Sequence, residues 1–292
     1  MYKPIKKCLR FFAEIISFGV GCLFLVPVFL VIINAFKPLG EIIKNPFSLP
    51  ENLFLDNIKY VIGNMRYFTV LKNTLIIAVI VVIITVVVSA MTGWMLTRDS
   101  SRISSFITVL LLSSMLVPFQ SFMISIAKLS SLLHMSDTTW GYIWIQITLY
   151  APMGIFMYEG FSKNVPISLE ESARLDGAST LRVFFSIVFP LMKPITSSIA
   201  VLYALWIWND YALASIMLAS QSKKTLTVSI YSFFSIHSNR WDYAVAALGF
   251  SIIPITVLYI VMQKYIVAGV TAGAVKGCAA ERDCETLKHR LR

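Results

Sequence analysis

The stretch Ile76-Ile77-Ala78-Val79-Ile80-Val81-Val82-Ile83-Ile84 decides the fold class of this chain. Its β-branched residues are typical of a buried strand in a water-soluble protein. It lies, however, inside an uncharged run over residues 74–97, and a hydrocarbon core about 30 Å thick requires about 20 helical residues. Because backbone groups in lipid must form their hydrogen bonds within the segment, this length favours a membrane-spanning helix over a strand.

Five more apolar runs of comparable length lie along the chain. Hydrophobic residues make up 57% of the 292 residues and charged residues only 14%, which is far from the composition of soluble domains. Each run is long enough to cross a bilayer, although Asp210 interrupts one of them. The runs cover residues 15–36, 103–127, 138–158, 194–221 and 243–263. The sequence therefore predicts an all-α membrane protein with six transmembrane helices.

The charge of the chain is strongly positive, with 25 Lys and Arg residues and a formal net charge of +10. Such a charge can indicate nucleic-acid binding, but here the basic residues are distributed over the junctions between the apolar runs and form no single patch. Most of them fall on the inner side if the N-terminus is inside. The positive-inside rule then predicts that both termini are cytoplasmic.

The basic N-terminus followed by an apolar run could also be a signal peptide. The run is longer than the apolar core of about 7 to 15 residues in such peptides, and no small-x-small cleavage site stands out after it. The sequence therefore predicts a retained first helix.

Residues 162–193 are too polar to enter the bilayer, yet they carry the punctuation of helices. Ser168 and Glu171 have the spacing of a capping box at a helix start, and Gly177 favours a helix end. Ser179 or Thr180 then provides the start of a second short helix. An amphipathic connector on the membrane surface is one interpretation, but its acidic side is a poor match for anionic lipid. A protein partner on the cytoplasmic side is the better hypothesis.

The same segment resembles a known family. Glu171-Ser172-Ala173, Gly177, Ile187 and Phe189-Pro190 resemble the EAA motif in the membrane subunits of binding-protein-dependent ABC importers. That motif is Glu-Ala-Ala, three residues, Gly, nine residues and Ile-x-Leu-Pro. The spacing matches throughout, and Ser172 and Phe189 are the departures from the pattern.

Three other stretches are similar to the carbohydrate-uptake branch of this family, which imports di- and oligosaccharides or glycerol phosphate esters. They are Ala35-Phe36-Lys37-Pro38, Trp208-Asn209-Asp210 and Gly269-Val270-Thr271-Ala272-Gly273-Ala274-Val275-Lys276-Gly277. The resemblance covers roughly residues 10–277, and its closing segment is similar to the shorter permease of the maltose system. Residues 278–292 form a charged tail beyond it.

The resemblance implies a type I ABC importer fold with a cytoplasmic coupling helix between the fourth and fifth transmembrane helices. It implies a multi-pass protein of the bacterial cell membrane, the inner or plasma membrane, with both termini cytoplasmic. The implied division is a cytoplasmic N-terminus (1–14), a first transmembrane helix (15–36), an external loop (37–69), an ABC transmembrane type-1 domain (70–266) and a cytoplasmic C-terminal tail (267–292).

The resemblance also implies partners. They are a second homologous permease that forms a heterodimer with this chain, two cytoplasmic ATPase subunits or domains, and an extracytoplasmic sugar-binding protein. The chain contains no Gly-x-x-x-x-Gly-Lys-Ser/Thr loop, so ATP and Mg are expected on the ATPase. We therefore expect a transporter subunit with no catalytic residues and no bound cofactor.

By the same resemblance, residues 169–176 form the coupling helix that docks into a groove of the ATPase. Charged side chains there can form charge-assisted hydrogen bonds, a small side chain permits close approach, and a glycine lets the chain turn away. The expected coupling residues are Glu170, Glu171, Ala173, Arg174, Asp176 and Gly177.

A second candidate site lies inside the fifth apolar run. A carboxylate near the centre of a membrane helix costs about 2.5 to 3.5 kcal/mol on insertion scales, so Asp210 is expected to face a partner or a watery cavity. Amides and carboxylates bind sugar hydroxyls, and aromatic rings stack on sugar C–H faces. The expected substrate path is Trp208, Asn209, Asp210 and Tyr211. The alternative, that Asn209 and Asp210 cap or cross-link helices, stays open.

Other residues in the runs are weaker candidates for lining the path. Polar and helix-bending residues in membrane helices are more often kinks and interhelical hydrogen bonds. These candidates are Pro118, Gln120, Gln146, Ser251 and Pro254. Residues 225–228 open an external loop, ending at Asp242, that resembles the family's contact surface for a substrate-binding protein.

No metal site is expected. The cysteines lack zinc-site spacing and are predicted to be unpaired thiols, and the two external histidines are solitary. These residues are Cys8, Cys22, Cys278, Cys284, His134 and His237.

The rival hypothesis from another class is an ion-coupled secondary transporter, which would also combine several helices with a carboxylate at the midplane. Such proteins often show inverted repeats and paired broken helices, and neither is evident in this sequence. A membrane enzyme is weaker still, because no cluster of His, Asp or Cys has catalytic spacing.

Overall fold

The computed structural model describes residues 3–234, 240–261 and 263. Within these residues every regular element is a helix, so the prediction of an all-α protein is confirmed. The α-helices are α1 (Lys3–Asn34), α2 (Leu39–Lys44), α3 (Asp56–Asn64), α4 (Tyr67–Arg98), α5 (Arg102–Met115), α6 (Phe119–Leu132), α7 (Thr139–Ser162), α8 (Ile167–Leu175), α9 (Thr180–Val183), α10 (Phe189–Leu191), α11 (Lys193–Asn209), α12 (Ala212–Met217), α13 (Leu226–Tyr231) and α14 (Trp241–Val261). A π-helix covers Phe184–Val188 and a 3₁₀ turn covers Ser232–Phe234.

Three of the described helices are long and apolar enough to cross a membrane: α1 over Phe11–Asn34, α4 and α14. The number rises to five if each of two sharply bent helix pairs counts as one span. Helix α7 has 24 residues but is not among them. The chain is therefore a multi-pass membrane protein, and the number six stays a prediction.

Two predicted spans differ from the structure in their course. The run over 103–127 is two helices, α5 and α6, which meet at Pro118 with a bend of 101°. Proline breaks the helix there because it lacks an N–H and disfavours helical geometry in the preceding residue. The run over 194–221 also ends early, because α11 stops at Asn209 and Asp210 is extended, with φ −69° and ψ 115°.

The chain divides into two compact units. The first comprises residues 1–70 and 228–256. Helices α3 and α14 meet in this unit, where the rings of Tyr60 and Tyr243 stack with centroids 3.7 Å apart. The buried amine of Lys37 donates to the carbonyl oxygen of Asn45 at 3.1 Å, and the Asn57 amide donates to the Lys37 carbonyl at 2.7 Å. The predicted external loop is thus largely ordered in the structure.

The second unit comprises residues 71–227 and the described residues from 257 onward, and it contains both candidate sites. Helices α4 and α7 approach closely where each carries a glycine. A Cβ placed at Gly93 would lie 2.8 Å from the carbonyl oxygen of Ile155, and one at Gly154 would lie 2.6 Å from the Ser89 hydroxyl. Small residues permit such close packing of membrane helices, so neither glycine can gain a side chain without displacing its neighbour helix.

Candidate functional site

Helix α8 is the predicted coupling helix, and it begins earlier than the sequence indicates. Pro166 directly precedes the first residue of α8 and makes no side-chain cap. Its φ of −62° is fixed by the proline ring, and this value favours the start of a helix. Ser168 lies inside the helix, where its carbonyl oxygen accepts the Ser172 hydroxyl at 2.8 Å. The predicted capping box of Ser168 and Glu171 is therefore wrong.

The predicted stop at Gly177 is confirmed. Gly177 has φ +81°, a left-handed conformation that glycine adopts without a steric penalty. The Gly177 amide donates to the Arg174 carbonyl at 3.0 Å, and the Ala178 amide donates to the Ala173 carbonyl at 2.9 Å. These two bonds form a Schellman motif, which satisfies the last carbonyls of the helix. The chain then turns away from the end of α8.

The second short helix begins as expected. Ser179 caps α9 by accepting the Arg182 amide at 3.4 Å. The chain continues through the π-helix and α10, then bends by 79° at Met192 before α11. The buried side chains of Phe184, Val188 and Met192 join Trp94 of α4 and Tyr158 of α7 in one apolar core. This core holds the polar segment against α4 and α7.

The expected coupling residues separate into two groups. Glu171, Arg174, Asp176 and Gly177 are exposed, whereas Ala173 is partly buried against the core. Glu170 is only 3% exposed and already has partners in the chain. Its carboxylate oxygen Oε1 accepts Arg98 Nη2 at 2.8 Å and Trp94 Nε1 at 3.1 Å. The free surface of α8 is therefore narrower than the sequence indicates.

Sequence reasoning missed the apolar part of this surface. Leu175, the last residue of α8, is 89% exposed, and Leu181 in α9 is 58% exposed. Large apolar side chains exposed on a polar segment often mark a contact with another protein. The available signal was a leucine placed directly before the predicted helix end.

Asp210 connects two helices through its carboxylate. Its Oδ2 accepts the Tyr142 hydroxyl at 2.6 Å and the Gln146 amide at 2.8 Å, which links it to α7. Its carboxylate also accepts the backbone amides of Leu213 at 3.3 Å and Ala214 at 3.2 Å, which caps α12. The alternative of a helix cap and cross-link is thus confirmed for Asp210, which also lines a cavity, whereas the Asn209 amide donates to a carbonyl of its own helix.

That cavity has a volume of about 570 Å³ and lies among α5, α6, α7, α11 and α12. Apolar and aromatic side chains make most of its wall, and a few polar groups converge on it, which is typical of sites for small molecules. Its lining includes Ser114, Pro118, Phe119, Phe122, Gln146, Tyr150, Trp206 and Asp210.

The structure brings only part of the predicted substrate path to this cavity. Asp210 lines it, but Trp208, Asn209 and Tyr211 do not. Trp208 is buried, and the Asn209 amide donates to the Leu205 carbonyl of its own helix at 2.9 Å. The helical period accounts for the error, because neighbouring residues face different sides of a helix. Trp206, four residues before Asp210, is the aromatic residue of α11 that lines the cavity.

The weaker candidates are also divided. Pro118 and Gln146 line the cavity, whereas Gln120 is exposed outside it. Ser251 and Pro254 belong to the other compact unit.

No group of three His, Cys, Asp or Glu side chains that could hold a metal ion occurs among the described residues. His134 lies in the turn between α6 and α7, and Cys22 is an exposed free thiol in α1. Four predictions fall outside the residues or side chains that the structure describes. They concern Cys8, His237, the stretch Gly269-Val270-Thr271-Ala272-Gly273-Ala274-Val275-Lys276-Gly277 and the tail with Cys278 and Cys284.

The fold and these two sites define a class of protein: a multi-pass membrane protein, helical in its described residues, with a polar helix pair and a cavity within a helix bundle. Residues 86–272 match the family described as binding-protein-dependent transport system inner membrane component. The chain belongs to that family.

The chain is also similar to individual members. It is 35% identical to the probable starch degradation products transport system permease protein AmyC of Thermoanaerobacterium thermosulfurigenes, over 93% of this chain and 98% of that protein. It is 31% identical to the melibiose/raffinose/stachyose import permease protein MelC of Bacillus subtilis, over 88% and 94% of the two chains. A chain in the crystal structure of a bacterial ABC transporter involved in the import of the acidic polysaccharide alginate has the same fold, with a TM-score of 0.74 and 21% identity over 88% of this chain and 96% of that one.

Family membership decides between the two classes of transporter. The hypothesis of an importer permease is confirmed, and the rival hypothesis of an ion-coupled secondary transporter is wrong.

Proposed function

We propose that this chain is one of two permease subunits of an ATP-driven importer that carries a sugar, most simply an oligosaccharide, across the bacterial cell membrane. The observation that carries the proposal is the exposed end of α8, where Leu175 projects beside Glu171 and Arg174 and the chain turns away at Gly177. This is a compact contact surface with an apolar centre and a charged rim. The relatives whose names mention sugar transport support the substrate class.

The partner of that surface is a cytoplasmic ATPase on a separate polypeptide, which binds ATP and Mg. Glu171 and Arg174 are available for charge-assisted hydrogen bonds with it, and Leu175 is suited to fill an apolar pocket of its groove. Ala173 packs against the core of this chain, and its small side chain keeps α8 close to that core. Closure of two ATPases on ATP then displaces the two coupling helices.

The cavity is this chain's part of the sugar path. Tyr150, Trp206 and Phe119 offer ring faces for the C–H faces of a sugar, and Gln146 and Asp210 offer hydrogen bonds to its hydroxyl groups. A second homologous permease supplies the opposite wall, and an extracytoplasmic binding protein delivers the sugar and makes much of the selection. In this arrangement both termini and α8 lie on the cytoplasmic side, and the segment between α1 and α4 lies outside.

The experiment that tests this function is a variant at the centre of the docking surface. The complex is produced in membranes with its ATPase and binding protein, and Leu175→Asp is compared with Leu53→Asp. Leu53 is 72% exposed in the predicted external loop and serves as the matched control. Loss of a buried hot-spot residue costs about 2 kcal/mol or more, so we expect Leu175→Asp to reduce co-purification of the ATPase and sugar uptake at least about tenfold.

The control variant should retain both uptake and assembly. Normal uptake by a membrane-inserted Leu175→Asp variant would contradict the assignment of this surface to the ATPase.

A further inference from the structure

The first turn of α8 is attached to the last turn of α4 by an ion pair and two flanking hydrogen bonds. Oε1 of Glu170 accepts Arg98 Nε at 3.0 Å, Arg98 Nη2 at 2.8 Å and Trp94 Nε1 at 3.1 Å. Arg98 Nη2 also donates to the Val165 carbonyl at 2.8 Å, just before α8 begins. We name these three side chains, Glu170, Arg98 and Trp94, the clamp.

The clamp is placed where both helices favour it. Arg98 is the last residue of α4, where the helix dipole favours a cation, and Glu170 lies in the first turn of α8, where the dipole favours an anion. The Glu170 side chain is 3% exposed and that of Arg98 is 17% exposed. Water therefore competes weakly for this pair, and removal of either partner leaves a charge with poor compensation.

The clamp also reaches the apolar core. The Trp94 ring lies 5.4 Å from that of Phe184 in the π-helix, measured between centroids, and both side chains are buried. Gly93, the residue before Trp94 in α4, packs against the backbone of α7. The first turn of α8 is thus connected through the clamp to three closely packed elements, namely α4, α7 and the π-helix.

The other end of α8 contrasts with this attachment. Leu175 and Asp176 are exposed, and open space surrounds Gly177. A force applied to this end acts on a short helix of nine residues that is held at its beginning. Chains of packed side chains and hydrogen bonds such as these can carry energetic coupling between distant sites.

We propose that the clamp transmits the displacement of α8 to α4, and that Glu170 and Arg98 are positioning residues of the transport cycle and not contacts of the ATPase. This inference rests on the proposed function, since it takes the exposed end of α8 as the point where the ATPase acts. Its consequence is specific: without the clamp the ATPase still docks and hydrolyses ATP, but less of its motion reaches the membrane helices.

The test measures sugar uptake and ATP hydrolysis in the complete reconstituted complex. In Glu170→Gln the side-chain shape is kept and the charge is removed. The control is Lys163→Gln, because Lys163 is 63% exposed and pairs with Glu159 at 3.3 Å outside the clamp. Since coupling free energies typically correspond to effects of fivefold or more, we expect uptake per ATP hydrolysed to fall at least about fivefold in Glu170→Gln and to stay within about twofold in the control.

The outcomes separate this inference from the proposed function. Unchanged uptake per ATP in Glu170→Gln, or loss of the ATPase from a folded permease, would overturn the clamp. If Glu170→Gln fails to fold, Trp94→Phe replaces it, because this variant keeps the ring against Phe184 and removes only one hydrogen bond. A reduced ratio then supports the clamp and an unchanged ratio overturns it. Failure of the proposed function itself would appear in Leu175→Asp, as normal ATPase binding and uptake.

Discussion

Two carboxylates of the second unit, Glu170 and Asp210, lie in different surroundings. Glu170 is buried against the guanidinium of Arg98, with the Trp94 indole as a further donor. The described hydrogen-bond donors to Asp210 are all neutral: a phenol, an amide side chain and two backbone amides. The first acid joins two helix ends, and the second caps a short helix at the wall of a cavity.

The difference teaches how a buried acidic residue is stabilised in two different surroundings of one chain. At the beginning of α8 an ion pair tolerates burial because each charge compensates the other and the helix dipoles favour both. Beside the cavity, neutral donors hold the Asp210 carboxylate in place without a cation that would occupy it. The paired acid therefore connects two helices through a charge pair, and the other acid brings a hydrogen-bonding group to the wall of the cavity.

The largest effect on stability is expected at the ion pair. Arg98→Ala removes the cation and leaves the Glu170 carboxylate buried with Trp94 as its remaining side-chain donor. Breaking a buried pair in this way costs about 3 to 5 kcal/mol. The apparent melting temperature of the purified permease in detergent should fall clearly, and the fall should be much smaller in Lys163→Gln. Equal effects of the two variants would mean that solvent screens the clamp.

A smaller effect is expected at Asp210. Asp210→Ala removes the cap of α12 and leaves Gln146 and Tyr142 without their shared acceptor, which should cost about 2 kcal/mol in the same melting assay. Asp210→Asn keeps an acceptor for the cap and should cost less than about 1 kcal/mol.

The two Asp210 variants also test whether the negative charge of Asp210 is needed for sugar uptake. With both variants assembled, sugar uptake in Asp210→Asn reports on the need for the charge itself. Retained uptake would show that hydrogen bonding at the cavity suffices, whereas loss of uptake in a stable Asn variant would make the carboxylate a sugar contact.

The smallest effect concerns a third acid, Asp137, in the turn between α6 and α7. The Ser220 hydroxyl and backbone amide donate to its carboxylate and Lys223 lies 3.1 Å away, which lowers the pKa of Asp137 to about 2. Since this pKa is below the value of about 3.9 in an unfolded chain, the contribution to stability is present above about pH 4 and is lost as the pH falls toward 2.

The pH dependence provides the measurement. The difference in melting temperature between the wild type and Asp137→Asn should be positive near neutral pH and should shrink as the pH is lowered below about 4. Asp56→Asn is the control, because the pair of Asp56 and Lys59 is largely exposed. A difference that does not change with pH would show that shape, and not charge, accounts for the Asp137 contacts.

Local signals predicted local structure well. Gly177 was expected at a helix end because few other residues adopt a positive φ, and the structure places it there with φ +81°. Ser179 was one of two expected starts of α9 and is its cap. The capping box at Ser168 failed because Pro166 offered a competing start two residues earlier. Proline at position 166 and serine at position 168 are both favoured at helix starts, and propensity alone does not decide between them.

The sequence predicted the kind of each candidate site better than it predicted which residues belong to it. A carboxylate within an apolar run indicated a functional position, and Asp210 does line the cavity. Its sequence neighbours Trp208, Asn209 and Tyr211 do not, because the helix turns them to other sides and then ends. Glu170 and Glu171 are likewise adjacent in sequence, but one is buried in the clamp and the other is exposed.

The sequence by itself determined that this chain is a helical membrane protein, that a polar helix pair interrupts its apolar runs, and that it belongs to a family of importer permeases. These features depend on the length of apolar segments, on single residues with special backbone geometry and on motif spacing, all of which are local in the chain. Only the tertiary structure decided that Glu170 pairs with Arg98 and that Asp210 meets Tyr142 and Gln146. Those partners lie 64 to 72 positions away in sequence, and no local pattern encodes which face of one helix meets which face of another.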